Sequence, residues 1–251
     1  MKEGHRLYHL IVNPVAGNGR SLKACVKVEH ELKTRGLPYR IYRTERPGHA
    51  TTIARDIAAS ESEARLVILG GDGTFNEAAN GLAGTDAILY FVSCGTGNDF
   101  VKTLKLPKDP VKALALQLDV KPRAIDAGYI NDRLFLNVSG TGFDIEVLRQ
   151  TQRFRDRFKG LTAYLLGLFA ALGRFTPVEA TVTVDGRTFQ ARLTIFEVAN
   201  GRYYGGGMLV APNAEPSDGL FDVVYVDAVN RRRILKLLPL FLNGKFISLP
   251  V

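Results

Sequence analysis

Apolar runs and amphipathic stretches alternate through the first half of the chain. Residues 7–12 form a short apolar run ending at Asn13-Pro14, the pattern of a strand stopped by a turn. Residues 20–35 carry Leu22, Val26, Val28 and Leu32 among charges, roughly one helical face. Residues 39–44 predict a strand and residues 50–60 a helix. Residues 66–69 are a compact buried-strand run ending in Gly70-Gly71, and residues 75–82 predict a helix opening just after it. Residues 87–93 give another apolar strand. Such alternation predicts an open, mostly parallel sheet with helices on both faces.

The character changes near Lys121-Pro122. Strands are predicted at 135–138, 180–184, 188–198 and 220–226. Residues 181–184 and 188–194 alternate apolar with polar around Asp185-Gly186, a hairpin signal. One helix-prone segment, 145–172, is inserted among them. The expected division is an α/β domain, residues 1–124, followed by a mostly antiparallel, β-sandwich-like domain, residues 125–251.

Composition narrows the function classes. Of the 251 residues, 46% are hydrophobic and 23% charged, ordinary for a globular protein that folds without disulfides or metal. Cys25 and Cys94 are too isolated for a disulfide framework or a zinc site, and read as reduced thiols in a cytoplasmic protein. The longest apolar run, 161–172, is well short of the ~20 residues that span a membrane. The net charge of +8 suits an anionic partner such as a nucleotide or an acidic bilayer. It is spread along the chain with no basic tail, which argues against nucleic acid as a partner. The sequence leaves a homodimer open.

Gly70-Gly71-Asp72-Gly73-Thr74 follows a strand and precedes a helix. Its glycines let the backbone approach a ligand, and a helix N-terminus suits phosphates. Asp72 there could hold Mg²⁺ against them; the plainer reading is a strand-to-helix turn capped by Asp72. Gly95-Thr96-Gly97-Asn98-Asp99 follows the next strand. C-terminal ends of parallel strands share one edge, so Asp72 and Asp99 are expected within reach of one metal–triphosphate unit. Asn13-Pro14-Val15-Ala16-Gly17-Asn18-Gly19, after the first strand, is a third candidate. It fits neither a dinucleotide fingerprint nor a Walker loop, and is balanced between a phosphate-approach loop and a plain turn.

These segments, with Phe75-Asn76-Glu77 and Phe100 completing two of them, resemble the catalytic signature of the diacylglycerol kinase and sphingosine kinase superfamily. NAD kinases, which share the Gly-Gly-Asp-Gly-Thr loop, are more distantly similar. Phe135-Leu136-Asn137-Val138-Ser139-Gly140-Thr141-Gly142-Phe143-Asp144, the Asn200-Gly201 to Gly205-Gly206-Gly207 segment, and Ala211-Pro212 through Asp218-Gly219-Leu220-Phe221-Asp222 resemble the lipid-kinase branch. The resemblance runs from residue 11 to about residue 226.

The resemblance implies an ATP-dependent lipid kinase that moves the γ-phosphoryl group to the hydroxyl of diacylglycerol or a related lipid. It implies ATP contacts at Asn13, Pro14, Val15, Ala16, Gly17, Thr44, Gly70, Gly71, Asp72, Gly73, Thr74, Phe75, Asn76 and Thr96, with Gly95 and Asn98 in the same loop as Thr96. Asp72 and Asp99 match the catalytic carboxylates that organise Mg²⁺. Glu215, Asp218 and Leu220 match a structural Mg²⁺ site, the first and last through backbone carbonyls; a simple Asp-Gly turn is the alternative. Ser93 stands where the family usually has proline. Family members also carry a late Asp-Gly-Glu whose glutamate is the general base. No Asp-Gly pair here precedes Glu, so a C-terminally truncated form of lowered turnover is expected.

Peripheral attachment to an anionic membrane is the expected location. Arg149, Arg153, Arg155, Arg157 and Lys159, with Phe154 and Phe158, precede the apolar run 161–172, and Arg231-Arg232-Arg233 precedes a second apolar stretch. The plainer reading of each is a solvated basic face. Two other functions stay open: a kinase for a soluble substrate such as NAD, and a catalytically weak nucleotide-binding regulator.

Overall fold

The computed structural model describes residues 6–154, 157–158 and 161–242. The chain forms two compact units. The first takes in the chain up to Asn137 together with Asn200–Gly207 and Glu215–Leu220. The second takes in Val138–Ala199, Met208–Ala214 and the chain from Phe221.

The first unit is an α/β layer structure, as the alternation predicts. Its elements are β1 (Tyr8–Val12), α1 (Arg20–Thr34), β2 (Tyr39–Arg43), α2 (His49–Ser60), β3 (Arg65–Gly70), α3 (Asp72–Gly81), β4 (Ile88–Ser93), α4 (Asp99–Thr103) and α5 (Pro110–Leu118). The strands lie in the order β2-β1-β3-β4, and every pairing is parallel. Successive strand side chains point to opposite faces, so each strand feeds two cores. Ile11, Leu66, Ile68 and Phe91 pack on one face against Ala50, Ile53 and Ile57 of α2 and Phe75 and Ala78 of α3. Leu10, Val12, Val67, Leu69, Tyr90 and Val92 pack on the other against Ala24, Val28 and Leu32 of α1 and Leu114 of α5. A short hairpin, β5 (Gly128–Ile130) with β6 (Arg133–Phe135), follows in the same unit and buries Leu134 in the first of these cores.

Two local readings change. α3 begins at Asp72 rather than at 75, because Gly71 is extended and serves as its N-cap, leaving Gly73 in the forgiving first turn. α5 was not read from the sequence, although its start signal is there: Asp109 accepts the N–H groups of Val111 and Lys112, and Pro110 opens the helix.

The second unit is built on one long strand. Its elements are β7 (Val138–Gly142), α6 (Phe143–Phe154), α7 (Leu161–Arg174), β8 (Val178–Val184) and β9 (Arg187–Ala199). Then come β10 (Tyr203–Tyr204) of the first unit, β11 (Met208–Leu209), β12 (Asp222–Asp227) and α8 (Arg231–Leu242). β9 pairs antiparallel with β8, β7 and β12. The β8–β9 hairpin turns at Asp185-Gly186, both at positive φ, as the sequence signal required. The helix-prone stretch resolves into two helices. Phe143 and Val147 of α6, Leu168 and Leu172 of α7, Ile195 of β9 and Ile234 of α8 share one core. The strand expected at 135–138 is divided between the end of β6 and the start of β7.

Candidate functional site

The parallel register decides which loops meet. Val12 is paired with Leu69, and Gly70 with Ser93, so β1, β3 and β4 end side by side. The Gly70–Thr74 and Gly95–Asp99 segments come into direct contact. A Cβ on Gly71 would lie 3.2 Å from Gly95 Cα, and one on Gly95 would lie 2.6 Å from Gly71 Cα. Only two glycines allow that approach.

Asp72 then spans the gap. Its Oδ2 accepts the backbone N–H of Asp99 at 3.0 Å and its Oδ1 accepts that of Phe100 at 3.1 Å. The expected cap role is therefore real but directed elsewhere, since Asp72 caps the neighbouring α4 rather than its own helix. Asp99 is 6% exposed. Its Oδ1 accepts from Lys102 Nζ and its Oδ2 from the backbone N–H of Gly206, both at 2.7 Å. A Cβ at Gly97 would sit 3.2 Å from Asp99 Oδ2 and 3.6 Å from Asp72 Oδ2. The two carboxylates thus meet beside Gly97, where a side chain would crowd both.

The first loop joins this edge through several ties. Asn13 donates from Nδ2 to Thr74 Oγ1 at 2.9 Å, and its carbonyl receives the Ser21 hydroxyl. Thr44 donates its N–H to Val12 O, which fixes it beside Asn13. Gly17, at φ +57°, presses on the Cys94 carbonyl with no room for a Cβ. Arg20 donates from Nε to Gly17 O at 3.0 Å and from Nη2 to Gly95 O at 2.8 Å, so one guanidinium ties the first loop to the third. Val15 is exposed at the loop tip.

Other residues named from the sequence are placed differently. Phe75 buries its ring in the core, stacked on Phe91, and spends its N–H on Gly71 O. Asn76 uses its amide on the hairpin backbone, donating to Leu134 O and accepting from Leu136 N–H. Asn98, at φ +50°, donates to Gly95 O, and its Oδ1 is buried without a hydrogen-bond partner. Thr96, Gly97 and Asn98 line a cleft of about 680 Å³. Arg20, Lys23, Lys27, Lys102, Lys105 and Lys108 also line it, and among the described residues no Asp or Glu does. That field suits a polyanion.

The returning segment Asn200–Gly207 locks onto α4. Arg202 donates its N–H to Thr103 Oγ1, Gly206 reaches Asp99, and Asn200 donates to the carbonyls of Asp126 and Leu136. The 215–220 turn follows. Asp126 accepts the Gly219 N–H, Asp218 accepts that of Leu220, and Glu215 pairs with Arg202 at 3.7 Å. Sequence reasoning gives no role to Arg20, Lys102 or Asp126, and names Gly206 only within a motif. The Lys102 position, three residues past Asp99 on a helix, was the one local signal.

Each of the four carboxylate oxygens of Asp72 and Asp99 already accepts one hydrogen bond, so a divalent cation held there would have to use their remaining lone pairs. Among the described residues no set of three or more His, Cys, Asp or Glu side chains is gathered for a metal. A cation at the 215–220 turn would therefore need backbone carbonyls beside Asp218.

The basic stretches are partly described. Arg149 and Arg153 lie on α6, where Arg149 pairs with Glu146, while Arg155, Asp156 and Lys159 lie outside the described residues. Leu165 and Phe169, one turn apart on α7, are exposed, as are Arg231, Arg232 and Arg233 on α8. Among the described residues no helix is long and apolar enough to cross a membrane.

Two family models match the chain. The one described as the diacylglycerol kinase catalytic domain covers residues 8–130. The one described as the YegS C-terminal NAD kinase beta sandwich-like domain covers residues 137–251. A diacylglycerol kinase of Mycobacterium tuberculosis is 33% identical over 249 residues, 95% of this chain and 79% of its own length. One from Bacillus subtilis is 29% identical over 242 residues, 95% of this chain and 80% of its own. A crystal structure of a diacylglycerol kinase from Bacillus anthracis superposes with a TM-score of 0.72 at 27% identity, covering 95% of this chain and 79% of that one.

Proposed function

This chain belongs to the diacylglycerol kinase family of lipid kinases, and on that premise we propose that it transfers the γ-phosphoryl group of ATP to the hydroxyl of diacylglycerol or a related membrane lipid. The observation that carries the reading is the meeting of Asp72 and Asp99, from loops 27 residues apart, beside Gly97.

Phosphoryl transfer asks a protein mainly for positioning and charge neutralisation. The first loop and the Gly70–Thr74 loop offer close backbone approach to a triphosphate, and Arg20 holds the first loop to the third. The cationic cleft draws the nucleotide in. Asp72 and Asp99 are the residues that would hold Mg²⁺, which supplies neutralisation of the phosphoryl oxygens when bound. Asp72 has a second task, holding α4 and with it Asp99 in place. The exposed Leu165 and Phe169 beside the α6 arginines suit peripheral contact with an anionic bilayer, where the lipid hydroxyl is found.

The test is a thin-layer assay with labelled ATP against a panel of lipids in mixed micelles, with NADP formation from NAD followed in parallel. Labelled phosphatidate or a related lipid phosphate is expected. NADP without any lipid product would replace the reading with a soluble-substrate kinase. ATP binding by calorimetry with neither product would replace it with a nucleotide-binding regulator.

A further inference from the structure

Lys102 stands one helical turn beyond Asp99 on α4, and its Nζ lies 2.7 Å from Asp99 Oδ1. The two ends of this pair are unlike. The Asp99 side chain keeps 8% of its surface in solvent, whereas the Lys102 side chain keeps 35% and lines the cationic cleft. A Cβ at Gly207 would lie 3.1 Å from the same Nζ, so the ammonium is held between Asp99 and the glycine turn, with the cleft on its open side.

We propose that Lys102 is a positioning residue of the phosphoryl-transfer site: the resident counter-ion of Asp99, which gives up that carboxylate when a divalent cation is bound and turns its ammonium to phosphate oxygens in the cleft. The proposal rests on the assignment of Asp99 to the metal made above. A carboxylate this buried needs a compensating charge at all times, because stripping it of one leaves an unpaired charge in a poorly solvated place. An ammonium and a divalent cation on the same carboxylate repel each other across a few ångströms. Occupancy by one therefore weakens the other. Lys102 has a flexible stem and three donors, so it can leave Oδ1 without leaving the neighbourhood. The charge balance also holds, since the ammonium moves toward the phosphate oxygens as Asp99 takes up the divalent ion. Metal and nucleotide binding are then coupled through one side chain, and by reciprocity each strengthens the other.

Two substitutions read the competition in opposite directions. Mn²⁺ is titrated calorimetrically into the protein without nucleotide. Lys102→Gln removes the competing charge and should bind Mn²⁺ several-fold more tightly than the parent. Lys102→Arg, with a two-pronged guanidinium on Asp99, should bind it more weakly. In the same variants Mn²⁺–ATP affinity should fall about 10-fold for Lys102→Gln and stay within about 3-fold for Lys102→Arg, the loss expected for one charge-assisted contact. Any other order of Mn²⁺ affinity among the three proteins overturns the proposal. If Lys102→Gln melts well below the parent, the Lys102→Arg comparison alone decides it. Asp99→Asn is run alongside. Unchanged Mn²⁺ binding in that variant would overturn the metal assignment of Asp99. Lost binding there, with no change in either Lys102 variant, would overturn only the role of Lys102.

Discussion

Asp72 accepts the backbone N–H of Asp99 on Oδ2 at 3.0 Å, and the N–H of Phe100 on Oδ1 at 3.1 Å. One carboxylate therefore anchors the segment that carries the other. The arrangement makes the Asp72 side chain structural and electrostatic at once, and the two contributions separate by experiment.

Asp72→Asn keeps one acceptor oxygen but turns an amide N–H₂ toward a backbone N–H. The variant should lose about 1–2 kcal/mol of stability, the range for a lost cap or charge-assisted bond. Its lipid-kinase rate should fall by roughly 10²–10³, as when a preorganised electrostatic group is removed. Thermal melts and the thin-layer assay measure the two losses. A variant of parental rate would remove Asp72 from the chemistry.

Arg20→Ala takes away two bonds, to Gly17 O and Gly95 O, that run between separate loops. The expected result is a KM for ATP raised on the order of 10-fold with a smaller change in kcat, since positioning is lost and the carboxylates remain. Arg20→Lys reaches one carbonyl at a time and should recover only part of the affinity. Equal kinetics for Ala and parent would mean the tie is dispensable.

Gly17→Ala meets two obstacles at once. Its φ is +57°, and its Cβ would overlap the Cys94 carbonyl oxygen. The loop must shift, at a cost on the order of 1–3 kcal/mol for the strained backbone. ATP binding measured by calorimetry should be lost or weakened at least about 10-fold while circular dichroism stays parental.

Alkaline stability follows from the buried thiols. Burial pushes the Cys94 thiol up to about 11 from its ordinary 9.0. Burial first, and then the neighbouring Glu29, push Cys25 up to about 12. The folded protein keeps protons that the unfolded chain releases. This contribution to stability is complete below about pH 9 and is lost as pH rises toward 11–12. The melting temperature should fall steadily across that window, and Cys94→Ala should flatten part of the fall. A melting temperature constant from pH 8 to 11 would contradict it.

The strands β1, β3 and β4 and the helices α1 and α2 were readable because each is a local pattern: apolar runs closed by turn residues, or apolar positions at helical spacing. The glycine loops were readable for the same reason, and parallel topology gave their shared edge. The Asp185-Gly186 hairpin needed only two residues able to take positive φ. α5 carried its own start signal in Asp109-Pro110, yet it went unread between short stretches of mixed character.

Sequence alone therefore determined the α/β class of the first unit, the antiparallel pattern of the second, and the shared edge at which the loops bearing Asp72 and Asp99 meet. The tertiary structure decided what those aspartates touch. Asp72 caps α4 because the glycine loops pack back to back. Asn76 serves the 133–136 backbone and not the loop surface, and Gly206 reaches Asp99 across 107 residues. Periodicity is set by neighbours within a turn or two. A hydrogen bond between distant segments exists only once packing has excluded water and brought donor and acceptor together, and no local pattern encodes that.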